Sequence, residues 1–404
     1  MKGFHYLLRM IKRKIFSIVL IILLLNQLGS CKDQGNVTSK QSNIPKDTEM
    51  GYSSKLMLSD FDTIVDGKKV GLYWIKNKGI EVAMTNYGGR IVGLWVPDKD
   101  GIMTDVVVGF NSAKGFITST EPYFGATIGR VGNRIAKGKF TLKGEEYHIP
   151  VNNGENALHG GQKGFQDVVW DVQQPNGQTL VLQYNSPDME EGFPGNLSVK
   201  VTYSVTEDRE IVMEYEAHTD RTTVVNLTNH AFFNLNGEGS GTILDHEVVL
   251  FADAYTPVDP GLIPTGELAP VNGTPFDFTS PHTIGERIMV DDPQLKNGGG
   301  YDHNFVLNGT QKNGMNHVGT IIGDRFGIVM DVMTQEPGVQ FYSGNFMLGK
   351  NTFKSGATDT YRTAFALETQ HFPDAPNHPN FPQITLEPGE IYATKSVYKF
   401  STRN

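Results

Sequence analysis

The segment V-V-N-L-T-N-H-A-F-F-N-L, residues 224–235, combines an apolar β-strand pattern with a row of hydrogen-bonding side chains. Its apolar residues alternate with polar ones, among them Asn226, Thr228 and His230, and an extended strand sends alternate side chains to opposite faces. We therefore expect one set to anchor the segment in a core and the other to face a cleft. Amides, a hydroxyl and an imidazole in a cleft suit a ligand rich in hydroxyl groups. From this segment alone, a structural histidine is the simpler interpretation of His230.

Strand patterns recur along most of the chain. Residues 197–205 alternate strictly between apolar and polar side chains, and residues 211–217 repeat the pattern after a turn, which predicts a hairpin. Further strands are predicted at residues 81–85, 91–96, 105–109, 326–332, 338–342, 364–367 and 391–400. With 45 Gly, 20 Pro and no amphipathic pattern of three helical turns, the sequence predicts a single all-β domain. We expect a sandwich of antiparallel strands whose long loops carry the function.

The first thirty residues have the layout of a secretory signal. A basic stretch ending at Lys14 precedes the apolar run of residues 15–25, which is too short to span a bilayer comfortably. The sequence Leu28-Gly29-Ser30-Cys31 follows, and its spacing resembles a bacterial lipobox, in which the chain is cut before a cysteine that becomes lipidated. The alternative is an ordinary signal peptide followed by an incidental cysteine.

This layout divides the chain into three parts. We predict a lipoprotein signal peptide over residues 1–30, a flexible polar tether over residues 31–54 that starts at the lipidated Cys31, and a folded domain over residues 55–404. The predicted location is the bacterial cell envelope, lipid-anchored, on the periplasmic or outer-surface side. Because Cys31 is the only cysteine, the domain must be stable without an intramolecular disulfide.

Charge and motif content exclude several functional classes. The formal charge of −9 falls to −14 once the five basic residues of the leader are removed, which argues against electrostatic binding of nucleic acid or anionic lipid. The sequence contains no His-x-x-x-His pair, no paired cysteines, no Asp-rich calcium loop, no Gly-x-Ser-x-Gly and no phosphate-cradling loop. We predict neither a metal nor any other cofactor, and a small molecule as the ligand.

Five further segments place polar side chains among glycines or apolar residues. They are G-R-V-G-N-R-I at residues 129–135, A-L-H-G-G at 157–161, G-Y-D-H-N-F at 300–305, P-G-V-Q-F-Y at 337–342 and A-F-A-L-E-T-Q at 364–370. Arg134 offers a planar fork of donors, and Asp302 can accept two hydrogen bonds from vicinal hydroxyls. Glu368 follows an apolar run, and burial would raise its pKa toward the working range of a general base. Taken singly, a surface arginine, an Asx-turn and a solvated glutamate are the simpler interpretations.

Taken together and in this order, such segments resemble the aldose 1-epimerase (galactose mutarotase) family. The matching motifs are N-Y-G-G-R-I-V from Asn86, G-A-T-I-G-R-V-G-N-R-I from Gly125, A-L-H-G-G from Ala157, N-L-T-N-H-A-F-F-N-L from Asn226, G-Y-D-H-N-F from Gly300, P-G-V-Q-F-Y-S-G-N-F from Pro337 and L-E-T-Q-H-F-P-D-A-P-N from Leu367. They span about 290 residues of the chain. The resemblance implies a large antiparallel β-supersandwich and an isomerase that interconverts the α and β anomers of a free aldose of the glucose or galactose type.

By that resemblance, Glu368 is the general base and His230 the general acid. The residues that bind or orient the sugar would be Asn133, Arg134, His159, Asp302 and Gln340. The carboxylate would take the proton of the C1 hydroxyl while an imidazolium on the opposite side of the ring protonates the ring oxygen. Rotation about C1–C2 and reclosure would then give the other anomer. The chain departs from the family at Gly89, at Gly132, which we expect to loosen the loop carrying Arg134, and at Ala231-Phe232, where Ser-Tyr is common.

Three alternatives remain open at this point. A hexose-phosphate epimerase would need a basic cluster, for which Arg130 and Arg134 are the candidates. A non-catalytic carbohydrate-binding lipoprotein would have no need of both His230 and Glu368. A polysaccharide lyase or hydrolase would need a long cleft with a paired acid and base. We expect a monomer that meets a membrane only through its lipid anchor, and the sequence does not identify the preferred aldose.

Overall fold

Antiparallel strands make up the fold, as the alternating patterns predict. The computed structural model describes residues 56–309, 311–312 and 314–403. The strands up to residue 219 are β1 (Thr63–Val65), β2 (Lys68–Val70), β3 (Leu72–Asn77), β4 (Ile80–Thr85), β5 (Arg90–Pro97), β6 (Met103–Asp105), β7 (Ala126–Ile128), β8 (Arg134–Ile135), β9 (Lys139–Leu142), β10 (Glu145–His148), β11 (Ala157–Leu158), β12 (Asp171–Asn176), β13 (Thr179–Ser186), β14 (Leu197–Val205) and β15 (Glu210–Thr219). The later strands are β16 (Thr223–Val224), β17 (Thr228–His230), β18 (Phe232–Phe233), β19 (Glu247–Leu250), β20 (Ala254–Tyr255), β21 (Ala269–Pro270), β22 (His282–Thr283), β23 (Asp302–Val306), β24 (Gln311–Lys312), β25 (Met315–Ile322), β26 (Ile328–Thr334), β27 (Gly338–Tyr342), β28 (Phe365–Gln370), β29 (Thr385–Leu386) and β30 (Tyr392–Thr402).

Helices are short and lie between strands. The α-helices of the described residues are α1 (Ala113–Ile117), α2 (Ile284–Arg287) and α3 (Pro293–Gly298), and the 3-10 helices are Leu58–Asp60, Ala136–Gly138, Phe165–Asp167, Glu190–Gly192 and Ala375–Asn377. None of the helices that the structure describes has the length and apolar character needed to cross a bilayer. The predicted signal peptide, Cys31 and the tether over residues 31–54 lie outside the described residues.

Two large sheets provide the sandwich. The ten-stranded sheet has the order β12-β13-β14-β15-β30-β26-β25-β19-β22, with β24 on β25, and the six-stranded sheet has the order β18-β28-β27-β23-β20-β21. Alternate residues of β14 are buried, because one face of this sheet covers the core. The Tyr398 hydroxyl of β30 donates a hydrogen bond to the carbonyl of Leu367 in β28 at 2.8 Å, which ties the two sheets together. The predicted all-β antiparallel sandwich is therefore confirmed.

Smaller sheets surround this sandwich. The strands β3-β4-β5-β6 form a four-stranded sheet, and the pairs β1-β2, β9-β10, β8-β11, β16-β29 and β7-β17 are two-stranded. The predicted strand at residues 105–109 is wrong beyond its start, because β6 ends at Asp105. The Asp105 carboxylate accepts the amides of Leu94 at 3.0 Å and Val107 at 3.3 Å, and beyond it the chain pairs with Phe233 through an isolated bridge at Val107.

Residues 224–235 do not form the single alternating strand that their pattern predicts. They are divided among β16, β17 and β18, and each of them is buried. Asn226 does not face a cleft, because its amide group hydrogen-bonds both the carbonyl and the N–H of His371, at 3.2 and 3.0 Å. The Thr228 hydroxyl is likewise buried within the protein. The alternation of apolar and polar residues does not indicate which side chains are exposed in this segment, because protein packs against both of its faces.

Candidate active site

A cavity of about 860 Å³ lies where β17 and β28 meet the loops before β8 and β23. This volume falls within the range of roughly 300–1,000 Å³ that is typical of small-molecule sites. Six of the seven predicted site residues line the cavity, namely Asn133, Arg134, His159, His230, Asp302 and Glu368. Gln340 lies behind them in β27, where it is the cross-strand partner of Glu368.

His230 and Glu368 face each other at the buried end of the cavity. His230 ends β17, which pairs with β7, and Glu368 lies inside β28, because that strand continues past the apolar run. The Nε2 atom of His230 is 3.4 Å from Oε1 of Glu368, and the two side chains are only 7% and 3% exposed. The two groups contact each other directly rather than standing a ring's width apart, as the expectation of an acid and a base on opposite sides of the sugar would suggest. Adjacent groups suit the chemistry, because the C1 hydroxyl oxygen and the ring oxygen are bonded to the same carbon.

Burial controls the charge of this pair. It raises the pKa of Glu368 well above 4.5, with a smaller contribution from Asp302 in the same direction and an opposing one from Arg134. It also lowers the pKa of His230 from 6.5 to about 3. The predicted rise in the pKa of Glu368 thus agrees in direction with its surroundings. Burial disfavours both the carboxylate and the imidazolium, because neither charge is solvated.

Asp302 is held by two neighbours. The Gln340 amide donates a hydrogen bond to Oδ1 of Asp302 at 2.7 Å, and the Arg134 guanidinium is 3.8 Å from Oδ2. Burial raises the pKa of Asp302, while Arg134 and Gln340 oppose that rise. Nε of Arg134 also donates to the Asn153 side chain at 3.2 Å. The arrangement leaves a carboxyl group and part of a guanidinium facing the cavity, which suits hydroxyl groups.

Two turns in left-handed conformations bring Asn133 and His159 together. Asn133 has φ 61° and His159 has φ 51°. The His159 N–H donates a hydrogen bond to the Asn133 carbonyl at 3.0 Å, and the Asn133 N–H donates one to Nδ1 of His159 at 3.1 Å. Gly160 (φ 91°) follows, where a Cβ would lie 2.0 Å from the Gly129 carbonyl. Because Nδ1 of His159 accepts a hydrogen bond, its neutral ring carries the proton on Nε2.

Comparisons with known proteins agree with this geometry. A sequence profile for the family described as Aldose 1-epimerase matches residues 71–399. A galactose mutarotase from Bos taurus is 45% identical over 335 residues, which cover 81% of this chain and 93% of the relative. An aldose 1-epimerase from Escherichia coli (strain K12) is 37% identical over 342 residues, covering 83% and 96%.

The chain belongs to the aldose 1-epimerase family. A crystal structure of an aldose epimerase homologue from C. elegans matches with a TM-score of 0.74 and 29% identity, covering 83% of this chain and 100% of the other. A galactose 1-epimerase from Lactobacillus acidophilus matches with a TM-score of 0.74 and 27% identity, covering 85% and 97%. The predicted supersandwich fold, the isomerase class and anomer interconversion of aldoses are therefore confirmed.

Three donor groups of this epimerase site have the composition of a metal centre. His159, His230 and Glu368 place possible ligand atoms within 4.8 Å of one another, and two histidines with a glutamate are a ligand set known for zinc. The hydrogen bond from Asn133 disfavours this use, because it keeps the Nε2 proton on His159 and makes that nitrogen a donor. The three residues fit a polyhydroxylated ligand better than a cation.

Two aromatic residues of the epimerase site were not among the predicted site residues. Tyr123 and Phe232 line the cavity, and both rings pack against His230. Phe232 lies within the 224–235 segment, where its apolar character predicts only core packing. Tyr123 lies two residues before the start of the Gly125 motif, and nothing in its local pattern distinguishes it from a core aromatic residue. Only the folded arrangement brings it to His230.

Arg130 does not take part in the site. Its guanidinium is buried and donates hydrogen bonds to the Ser186 side chain and to the carbonyls of Ser186, Pro187 and Pro194, at 2.7 to 3.1 Å. The loop that follows is held by a hydrogen bond from the Gly132 N–H to the Asn226 carbonyl at 2.8 Å.

Proposed function

We propose that Glu368 and His230 open and reclose the pyranose ring of a free aldose. Glu368 removes the proton of the C1 hydroxyl, and His230 delivers a proton to the ring oxygen. The 3.4 Å separation of their reacting atoms at the buried end of the cavity carries this proposal. Each positioned acid or base is expected to contribute roughly 10²–10⁴-fold to the rate.

A single proton shared by the pair is sufficient for the full cycle. With the cyclic sugar bound, that proton is on His230, so that the carboxylate faces the C1 hydroxyl and the imidazolium faces the ring oxygen. Ring opening transfers the proton of the C1 hydroxyl to Glu368 and the proton of His230 to the ring oxygen, so the pair again holds one proton. Rotation about C1–C2 and the reverse transfers then yield the other anomer.

The remaining side chains bind and orient the sugar hydroxyls. Arg134, His159 and Asn133 offer donors and acceptors to the cavity, and Asp302 offers a carboxyl group beside Arg134. Gln340 acts on the sugar through Asp302, whose orientation it fixes. Relatives named galactose mutarotase support galactose as one substrate, with glucose as the second hexose to test.

The buried position of Arg130 disfavours a hexose phosphate as the substrate. Its hydrogen bonds to Ser186, Pro187 and Pro194 leave Arg134 and the rim residue Lys137 as the basic groups among the residues that line the cavity. Arg134 is already engaged by Asp302 and Asn153. A neutral sugar is thus the better match to the charges of the site.

Polarimetry on freshly dissolved α-D-glucose and α-D-galactose tests the proposal, with the variants Glu368→Gln and His230→Asn measured beside the unchanged protein. We expect the optical rotation to relax far faster than in the buffer blank, and each variant to lose roughly 10²–10⁴-fold in rate. A protein that binds the sugar without outpacing the blank would instead be a carbohydrate-binding lipoprotein. Retained activity in either variant would contradict the assigned roles.

We also propose that the protein is a lipid-anchored component of the bacterial cell envelope. The order of basic residues, apolar run and Leu28-Gly29-Ser30-Cys31 in the sequence supports this location. Fractionation of cells that produce the unchanged chain or Cys31→Ser tests it. We expect the unchanged protein in the membrane fraction with acyl chains detectable by mass spectrometry, and the variant without them. An unchanged chain that lacks acyl groups would contradict the proposal.

A further inference from the structure

His230 lacks the polar partner that usually orients a catalytic imidazole. In such sites the second ring nitrogen normally hydrogen-bonds a carboxylate or a carbonyl, which fixes the ring and its tautomer. Among the described residues, none is hydrogen-bonded to Nδ1 of His230, although the atom is buried. Apart from Glu368 at Nε2 and the backbone of His230 itself, which favours the imidazolium, the orientation of the ring depends on contacts of another kind.

Two aromatic rings supply that contact. The Phe232 ring lies 4.8 Å from the imidazole of His230 with an interplanar angle of 28°, and the Tyr123 ring lies 5.7 Å from it with an angle of 25°. Both are stacked against the imidazole rather than set edge-on. Both also lie within about 6 Å of it, the range in which a cation is attracted to an aromatic face.

Each of these two aromatic residues is held in place by contacts with other residues. Phe232 packs against Phe124 at 4.6 Å and edge-on against Tyr342 at 5.9 Å. Tyr123 packs edge-on against His159 at 4.5 Å, and its backbone N–H donates to the Glu121 carboxylate at 3.3 Å. The two faces are therefore pre-organised rather than free to move with the imidazole.

We propose that Tyr123 and Phe232 are positioning residues that hold the His230 imidazole and stabilise its cationic form during ring opening. The inference rests on the proposed role of His230 as the acid. That role requires an imidazolium in a place where burial opposes one, and an aromatic face attracts a cation without solvating it. The other ionisable groups near the ring are Glu368, His159 and, further away, Arg90. Of these, only Glu368 offers the imidazolium an opposite charge.

Four single variants test the proposal: Tyr123→Leu and Phe232→Leu remove a ring, whereas Tyr123→Phe and Phe232→Tyr keep it. We expect each leucine variant to lose roughly tenfold in kcat with little change in KM, the size of one desolvated cation–π contact. We expect the ring-keeping variants to retain most of the rate. In the leucine variants the acid limb of the kcat profile should move to lower pH, because the doubly protonated pair loses stabilisation of its imidazolium.

Phe110→Leu is the matched control. Phe110 packs against Phe124 at 5.7 Å in the same aromatic cluster but makes no ring contact with His230, so this variant should lower thermal stability and leave kcat unchanged. If the leucine variants keep the wild-type kcat while His230→Asn loses it, the inference about the aromatic rings is wrong and the proposed role of His230 stands. A His230→Asn variant that keeps its activity would instead overturn the proposed role of His230. If Phe110→Leu loses as much kcat as Phe232→Leu, the loss comes from disturbed packing of the aromatic cluster and not from the ring contact with His230, and the inference is overturned.

Discussion

Two buried histidines of this protein each lie beside a carboxyl group, and the two pairs differ in almost every other respect. Nε2 of His230 is 3.4 Å from Glu368, and Nδ1 of His246 is 3.3 Å from Asp324. Burial lowers the pKa of both histidines, to about 3 for His230. Residue type and separation therefore do not distinguish the proposed catalytic pair from the structural one.

The surroundings of the two acids distinguish them. Asp324 is 27% exposed, is also bonded by the Asn236 amide at 2.7 Å, and its contact with His246 is the largest cause of a lowered pKa. Glu368 is 3% exposed, its Oε2 atom has no partner, and burial raises its pKa. Nε2 of His246 accepts a hydrogen bond from the Leu235 N–H at 3.0 Å, although its Nδ1, like that of His230, has no hydrogen-bond partner among the described residues.

The contrast between the two pairs indicates which buried charges favour the folded state and which are available for proton transfer. A pair whose acid is partly solvated and hydrogen-bonded, as Asp324 is, keeps its negative charge at little cost to the folded state. An unsatisfied pair costs stability, and it leaves a proton that can be exchanged with a substrate. The comparison gives expectations for activity, stability and pH dependence.

The largest effect is expected when both members of the catalytic pair are replaced. The double variant Glu368→Gln with His230→Asn should lose no more activity than the worse single variant, roughly 10²–10⁴-fold, because the two groups move one shared proton. Initial rates of mutarotation by polarimetry measure it. His246→Asn, the matched change in the structural pair, should keep kcat. Losses that multiply in the double variant would show that the two groups act independently.

Removal of the structural acid should give an intermediate effect on folding. Asp324→Ala deprives the Asn236 amide of its acceptor and removes the carboxylate beside His246, and we expect it to lower the free energy of unfolding by about 1–3 kcal/mol. Urea denaturation measures the change. Glu368→Gln should show no such loss, because it replaces a buried carboxyl group that has few partners. Equal destabilisation by both variants would remove the distinction between the pairs.

The smallest expected effect concerns the pH dependence of stability, which should have opposite signs for variants of the two acids. A raised pKa such as that of Glu368 contributes stability below about pH 4.5 that is lost as the pH rises, so Glu368→Gln should gain stability relative to the unchanged protein above pH 4.5. The lowered pKa of Asp324 contributes stability above about pH 3.8 that is lost in acid, so the deficit of Asp324→Asn should shrink below pH 3.8. Melting temperatures measured across pH 3–8 give both trends. Parallel trends would contradict the assigned environments.

Much of the fold could be predicted from the sequence where one face of a strand is exposed to solvent. Residues 197–205 alternate strictly and form β14 with the predicted bounds, because burial alternates along that strand. Residues 338–342 were likewise predicted as the strand that became β27. The segment 224–235 was predicted wrongly as one strand, because it is buried on all sides and no periodicity reports where its pairing partners change.

The site residues could be identified from motifs, but their geometry could not. The positions of His230 and Glu368 follow from the family resemblance, and the apolar run before Glu368 predicted its raised pKa. Their 3.4 Å contact depends on β17 and β28 meeting in three dimensions, so no local pattern encodes it. The same holds for Tyr123, whose role arises only from the ring that it touches.

The position of β30 has a consequence for the biosynthesis of the enzyme. This strand follows all the other described strands in sequence, yet it lies between β15 and β26 in the middle of the large sheet. It also supports β28 directly, through the Tyr398 hydroxyl on Leu367 and the Ser396 hydroxyl 2.6 Å from that of Thr369. A nascent chain therefore cannot complete the sheet, or the strand that carries Glu368, until residues 392–402 have been synthesised. The support of Glu368 from behind thus depends on a strand that is synthesised about 25 residues after it.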